Sequence, residues 1–383
     1  RRAFNGPPFT LAWGIRKKGP PVRKPVYYGD YLHLEKLLDC QHRESMAQGN
    51  PAHDEMLFII VHQAYELWFK QILFELDAVY TLFTQPILDE RDLIRAVSML
   101  ERVEKIQLHI LGQLDILETM TPLDFLDFRD SLMPASGFQS WQFRLIETRF
   151  GLPMKNRVHL GSLPYFTRLK GEERQRLESA EAQPSLFDLV ERWLERTPFL
   201  THGRYDFWTA YRQAVDDMIA TDRAHINANP DMTDDARTAE LTQLDSTRAS
   251  FEVIFDEARH AQLRAEGAWR FSHTALKAAL FIALYRHQPI LAMPFKLLTL
   301  LMDIDANWTT WRQRHAQMAQ RMIGTKIGTG GSSGYDYLRA TADKHKAYAD
   351  LVALSTFFIP RSRLPDLPRE VERRLGFHDG DRA

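Results

Sequence analysis

The chain has 383 residues, 44% of them hydrophobic, which is enough to bury one large core or two modest ones and excludes a mainly disordered state. Lysine and arginine number 49 against 50 acidic residues, so the formal charge of −1 gives no global attraction to nucleic acid or to an anionic membrane and points to a small-molecule partner. Cys40 is the only cysteine, which rules out an internal disulfide, an all-cysteine zinc site and a single-chain Fe–S cluster, and fits a reducing, cytoplasmic setting.

Residues 1–25 carry seven basic and no acidic residues among prolines and glycines, and residues 1–27 read as a flexible basic arm. Its apolar stretch, Phe9 to Trp13, is too short for the hydrophobic region of an export signal. From Tyr31 onward apolar residues recur at helical spacing, while strand alternation and hairpin dipeptides are nearly absent, so the fold class is all-α. Helices are predicted over about 53–83, 91–119, 137–149, 185–196, 204–226, 233–265, 272–286, 293–323 and 335–355. They form one helical domain, residues 28–360, in which the charge-rich stretch 167–270 reads as a peripheral helical subdomain; residues 361–383 read as a tail. The longest apolar candidate for a membrane span, Met56 to Val79, contains His62, Glu66, Lys70, Glu75 and Asp77, which a bilayer centre penalises heavily.

Four segments carry residues suited to chemistry. In the first, His62, Glu66 and Lys70 share a stripe at i, i+4 spacing among large apolar side chains. His62 is then either a pocket hydrogen-bonding group or a core histidine tied to Glu66. In the second, Phe125 to Gln139, Arg129 stands among aromatic residues ahead of a Pro and Ser-Gly helix start; its planar fork suits a carboxylate, unless Asp127 or Asp130 takes it. The third places Trp308, Trp311, His315, Met318 and Met322 on one apolar face. A neutral imidazole there can ligate haem iron with aromatic and thioether groups covering the macrocycle, or it can be a satisfied histidine in a packed helix. The fourth, Gly328 to Gly334, is a glycine- and serine-rich run able to cradle an anion or to serve as a helix cap and connector; it lacks the Gly-Lys-Ser/Thr of a phosphate loop. A di-iron bundle needs two Glu-x-x-His pairs and the sequence offers only Glu257-x-x-His260.

Taken together, several blocks in order resemble the tryptophan 2,3-dioxygenase family over about residues 28–360: Tyr28-Gly-Asp-Tyr31-Leu, His53-Asp-Glu-Met-Leu-Phe58, His62-Gln-Ala-Tyr-Glu-Leu-Trp-Phe-Lys-Gln, Pro134-Ala-Ser-Gly-Phe-Gln-Ser, Arg321-Met-Ile-Gly, Gly328-Thr-Gly-Gly-Ser-Ser-Gly-Tyr335 and Leu354-Ser-Thr-Phe. The resemblance implies a haem b (iron protoporphyrin IX) ligated proximally by His315, with Trp311, Ser136 and Gly137 at the cofactor, and O₂ as co-substrate. It implies that His62 is the distal catalytic residue, contacting the indole N–H, and that Arg129 pairs with the substrate carboxylate. Thr329 aligns with a contact to the substrate ammonium and carboxylate, and Phe58, Leu132, Ser136 and Gly137 match pocket-lining positions. Tyr28 and Tyr31 match residues that complete a neighbouring subunit's pocket in a homotetramer.

The implied reaction is cleavage of the indole C2–C3 bond of L-tryptophan by O₂ to N-formylkynurenine. Two positions depart from the family pattern near the expected pocket: Val61 stands where threonine is common and Trp141 where leucine is usual. Relatives on a similar scaffold insert a single oxygen atom into substituted indoles to give an oxindole, and a catalytically silent haem- or indole-binding module is the contrasting class.

Overall fold

The computed structural model describes residues 25–158, 169, 171–197, 201–202, 205–324, 326 and 334–376. The basic arm up to residue 24, the tail beyond 376 and residues 327–333 of the glycine-rich run lie outside the described residues. The chain divides into two compact units, residues 1–42 and 43–383.

In the first unit, two short helices, α1 (Tyr28–Leu32) and α2 (Leu34–Leu37), meet at His33, whose φ of 51° lies in the left-handed region. Neither helix buries a residue, and Tyr27, Tyr28, Tyr31 and Leu38 are largely exposed.

The second unit begins with α3 (Glu44–Ala47), whose free N–H groups at Glu44 and Ser45 are taken at 2.8 and 3.0 Å by the buried carboxylate of Glu55, the first residue of α4 (Glu55–Phe83). The Ser45 hydroxyl donates to the same carboxylate and accepts from Ala52 N–H, so the start of α4 is fixed by side chains. After a cap by Asp89, α5 (Glu90–Leu117) returns antiparallel to α4, as the bonds Tyr65 Oη to Ile110 O (2.7 Å) and Arg102 to Glu75 (2.7 Å) require. Next, α6 (Pro122–Arg129) starts in a Thr121/Asp124 capping box, and α7 (Trp141–Phe150) ends at Gly151. The charge-rich stretch 167–270 then supplies α8 (Gly171–Glu181), α9 (Leu186–Glu195), a two-residue antiparallel strand pair (Thr201–His202 with Tyr205–Asp206), α10 (Phe207–Ala228), α11 (Asp234–Phe255) and α12 (Glu257–Ala265). Phe187, Phe207, Tyr211, Phe251 and Ile254 from this stretch join the same core as α4 and α5.

Helix α13 (His273–Leu284) is buried from Ala278 to Leu284 without a break, as its all-round apolar sequence demands. The longest helix, α14 (Ala292–Ile323), runs beside α5, with Gln107 Nε2 on Ile304 O at 3.1 Å and Arg314 on Asp115 at 2.6 Å. It is followed by α15 (Gly334–Lys344), α16 (Ala349–Ala353) and α17 (Arg369–Leu375), the last burying Val371 and Leu375. No described helix is long and apolar enough to cross a membrane.

The predicted helices recur within a few residues, with three corrections. The predicted 233–265 helix breaks at Asp256, which leaves helical geometry (φ −112°, ψ 104°) and caps α12 through Arg259 N–H at 3.0 Å. The predicted 335–355 helix breaks after Lys344, because the buried Asp305 carboxylate captures the N–H groups of Ala347 and Tyr348 at 3.0 Å. The predicted start at 137 is a 3-10 turn, Gly137–Gln139, and α7 begins only after Ser140, whose hydroxyl accepts from Phe143 N–H. Helices α1, α2, α3, α6, α8 and α17 were not predicted; α8 buries only Leu177 and Ala180 and therefore shows no apolar stripe, and α17 buries Val371 and Leu375 within the stretch read as a tail.

Gly151 closes α7 with φ 118°, and a Cβ there would lie 2.5 Å from the Cβ of Phe187. Both the backbone region and the space exclude a side chain. Gly151→Ala should cost about 1–3 kcal/mol and lower the thermal midpoint, followed by circular dichroism, by several degrees. An unchanged midpoint would show that the turn relaxes freely.

Candidate functional site

A cavity of about 290 Å³ lies where α4, α5, α6, α7, α14 and α15 converge. Its first wall is α4, which presents Phe58, His62 and Glu66. His62 Nδ1 lies 2.7 Å from the carbonyl of Phe58. A carbonyl only accepts, so Nδ1 carries the proton and the neutral ring offers Nε2 as an acceptor. Burial lowers the His62 pKa, and the Phe58 hydrogen bond and the Glu66 charge oppose that shift only in part. Glu66 is not what ties His62 down: its carboxylate and its carbonyl receive Gln142 Nε2 at 2.8 and 2.9 Å. Of the two readings left open for His62, the pocket group is the observed one.

Helix α14 contributes Trp311, His315, Met318 and Met322 to the cavity lining, while Trp308 is buried in the core. The Trp311 and His315 rings stack at 5.0 Å and 28°. His315 Nδ1 is sealed in the protein without a hydrogen-bond partner among the described residues, which leaves the Nε2 edge as the accessible one. Burial, and then the neighbouring His62, lower its pKa from 6.5 to about 4. It is therefore a neutral imidazole at pH 7 and not a satisfied core histidine.

A third side comes from Phe125 and Arg129 of α6 and from Ser136, Gly137 and Phe138 of the 3-10 turn. The Arg129 side chain is 15% exposed, lines the cavity and forms an ion pair with the outward-facing Asp130 at 3.9 Å, so both partners offered by the sequence, a cavity ligand and Asp130, are within its reach. Leu132 packs against the core and does not line the cavity. Thr329 lies outside the described residues, and Tyr28 and Tyr31 belong to the first unit.

The fourth side escaped the sequence reading. Arg144 and Glu147 of α7, Arg312 of α14, and Tyr337, Thr341 and His345 at α15 all line it. Glu147 receives Arg312 at 2.8 Å, Arg157 at 2.8 Å, Arg144 at 3.2 Å and His345 Nδ1 at 3.1 Å. His345 Nε2 accepts from Val158 N–H at 3.0 Å, so this ring too is neutral, with its proton directed at Glu147. Burial alone would raise the Glu147 pKa, but the His345 hydrogen bond and the charges of Arg144, Arg157 and Arg312 hold it well below the usual range. Tyr337 is a further hydrogen-bonding partner of Arg144. The Arg144-x-x-Glu147 spacing on one helix was the available signal, but it does not show that Arg312 and His345 come from far along the chain.

Neither departure from the family pattern reaches the cavity. Val61 is buried in the core, and Trp141 lies beneath the Arg176 guanidinium, 5.2 Å from its ring centroid. No group of three or more His, Cys, Asp or Glu side chains able to hold a metal ion occurs among the described residues. An iron carried inside a larger ligand needs only one protein bond, which the cavity-facing Nε2 of His315 could supply.

Residues 21–358 match the family described as tryptophan 2,3-dioxygenase. The chain is 51% identical over 354 residues to the tryptophan 2,3-dioxygenase of Bdellovibrio bacteriovorus, covering 92% of this chain and 99% of that one. It is 47% identical to the enzyme of the same name from Alteromonas mediterranea (93% and 98% covered) and 45% identical to that of Dictyostelium discoideum (93% and 89% covered).

Proposed function

Because the chain belongs to the tryptophan 2,3-dioxygenase family, we propose that it oxidises L-tryptophan with O₂ at a haem b, opening the indole C2–C3 bond to give N-formylkynurenine. The observation that carries this reading is the meeting of two neutral histidines from different helices in one cavity that a guanidinium also lines. When bound, the haem supplies the redox-active iron at which O₂ chemistry takes place.

His315 would ligate that iron through Nε2, with Trp311, Met318 and Met322 against the macrocycle and Ser136 and Gly137 at its edge. Arg144, Arg312 and Tyr337 would meet its carboxylates. The residues fit such a group: one imidazole without another partner, apolar walls, and cationic side chains gathered at one end. His62 Nε2 accepts the indole N–H, so the ring is positioned without any proton transfer. Arg129 and Thr329 hold the amino-acid end, and Phe58 with the neighbouring aromatic residues keeps water from the reacting ring.

The assembly belongs to the same reading. We place Tyr28 and Tyr31 in the cavity of a second copy within a homotetramer, because α1 and α2 expose apolar and aromatic side chains that nothing in their own unit buries. The enzyme works in the cytoplasm, where the single thiol of Cys40 stays reduced.

Reduced, haem-loaded protein given L-tryptophan and O₂ should yield a product heavier than the substrate by two oxygen atoms on mass analysis. Addition of one oxygen would move the chain to the oxindole-forming class, and binding without turnover to a silent module. Arg129→Ala removes one member of a buried ion pair worth about 3–5 kcal/mol, so kcat/KM should fall by roughly two to three orders of magnitude. Near-normal kcat/KM in that variant would contradict its role. For His315→Ala the purified protein should lack a Soret band; full haem occupancy would place the ligand elsewhere.

A further inference from the structure

We infer that Glu147, which would touch neither substrate nor iron, is the positioning residue that sets the ferric–ferrous balance of the haem by fixing and partly cancelling the guanidiniums at its carboxylate end. The inference rests on the haem reading above.

Three guanidiniums converge on this one carboxylate, and two of them, Arg144 and Arg312, line the cavity. The side chains of Glu147, Arg144, Arg157 and Arg312 are all at most 9% exposed, so water screens their charges little. Glu181 lies 3.5 Å from Arg157, the one guanidinium of the three that does not line the cavity. The two that do line it, Arg144 and Arg312, both bond to Glu147. Two guanidiniums sharing one carboxylate suit a ligand with carboxylates of its own.

Glu147 also has leverage over geometry. Arg312 sits one turn before His315 on α14, and His345 follows α15, so one carboxylate ties α7 to the iron-ligating helix and to the far wall. Its negative charge disfavours adding an electron to nearby iron. Neutralising it without altering its shape should favour the ferrous state.

The test is spectroelectrochemical titration of haem-loaded wild type, Glu147→Gln and Glu147→Asp. Glu147→Gln should raise the ferrous-to-ferric ratio at fixed potential about tenfold, a midpoint shift of about +59 mV for one electron. Glu147→Asp keeps the charge and should restore a midpoint near wild type. A role confined to packing would lower the melting temperature of both variants and leave both midpoints where they were, which would overturn the inference. Should Glu147→Gln fail to fold, the double variant Glu147→Gln/Arg157→Gln removes the carboxylate together with the guanidinium that does not line the cavity. It should show a smaller shift of the same sign, and no shift would be equally fatal. Failure of the haem reading is separate: the wild-type protein would then show no Soret band to titrate.

Discussion

A carboxylate buried among three guanidiniums and an imidazole holds the walls of the cavity together. Taking Glu147, Arg144, Arg157 and Arg312 out of water is costly for each ion alone, and their mutual attraction repays that only with close contacts and satisfied hydrogen bonds. Contacts of 2.8 to 3.2 Å and a neutral His345 donating its one proton to the acid meet that condition. An apolar cluster of similar volume would have held α7, α14 and α15 as well. It would not have aimed two cations into the cavity.

The histidines of the site differ in what occupies their second nitrogen, and that difference divides their work. His62 gives its proton to Phe58 O within the same helix, and His345 gives its own to Glu147 while Val158 fills the other side. Both are thereby locked in one tautomer. His315 has no such partner among the described residues; its orientation comes from the stacked Trp311 ring and from burial. His345 has both nitrogens occupied and has no lone pair left for a ligand, whereas His62 and His315 each keep an Nε2 lone pair toward the cavity.

Legibility in the sequence followed the range of the interaction involved. The long helices α4, α5 and α14 were readable because their burial repeats every three to four residues, and His62 and His315 stood out among the large apolar side chains of α4 and α14. The gap between α15 and α16 was not readable: it depends on Asp305, more than forty positions away, taking the N–H groups of Ala347 and Tyr348. The Glu147 cluster was hidden for the same reason, since Arg312 lies 165 positions and His345 198 positions from the acid they share. Leu132 and Trp141 show the opposite failing. Resemblance placed both at or near the pocket, yet one packs into the core and the other under Arg176.

The cavity is polarised along its length, and this constrains how any planar ligand can lie in it. Along α14, Arg312 and Met322 are separated by about 15 Å at 1.5 Å per residue, so the charged cluster of Arg144, Glu147 and Arg312 lies toward one end of the cavity and the apolar surface of Met322 toward the other. A flat amphiphile with its carboxylates at the apolar end would bury them without partners. One of the two end-to-end orientations is therefore strongly disfavoured before any bond to His315 forms. Arg129, which also lines the cavity, comes from α6 and is paired with Asp130. Cationic side chains thus reach the cavity from three different helices, α6, α7 and α14, and only those of α7 and α14 share one carboxylate.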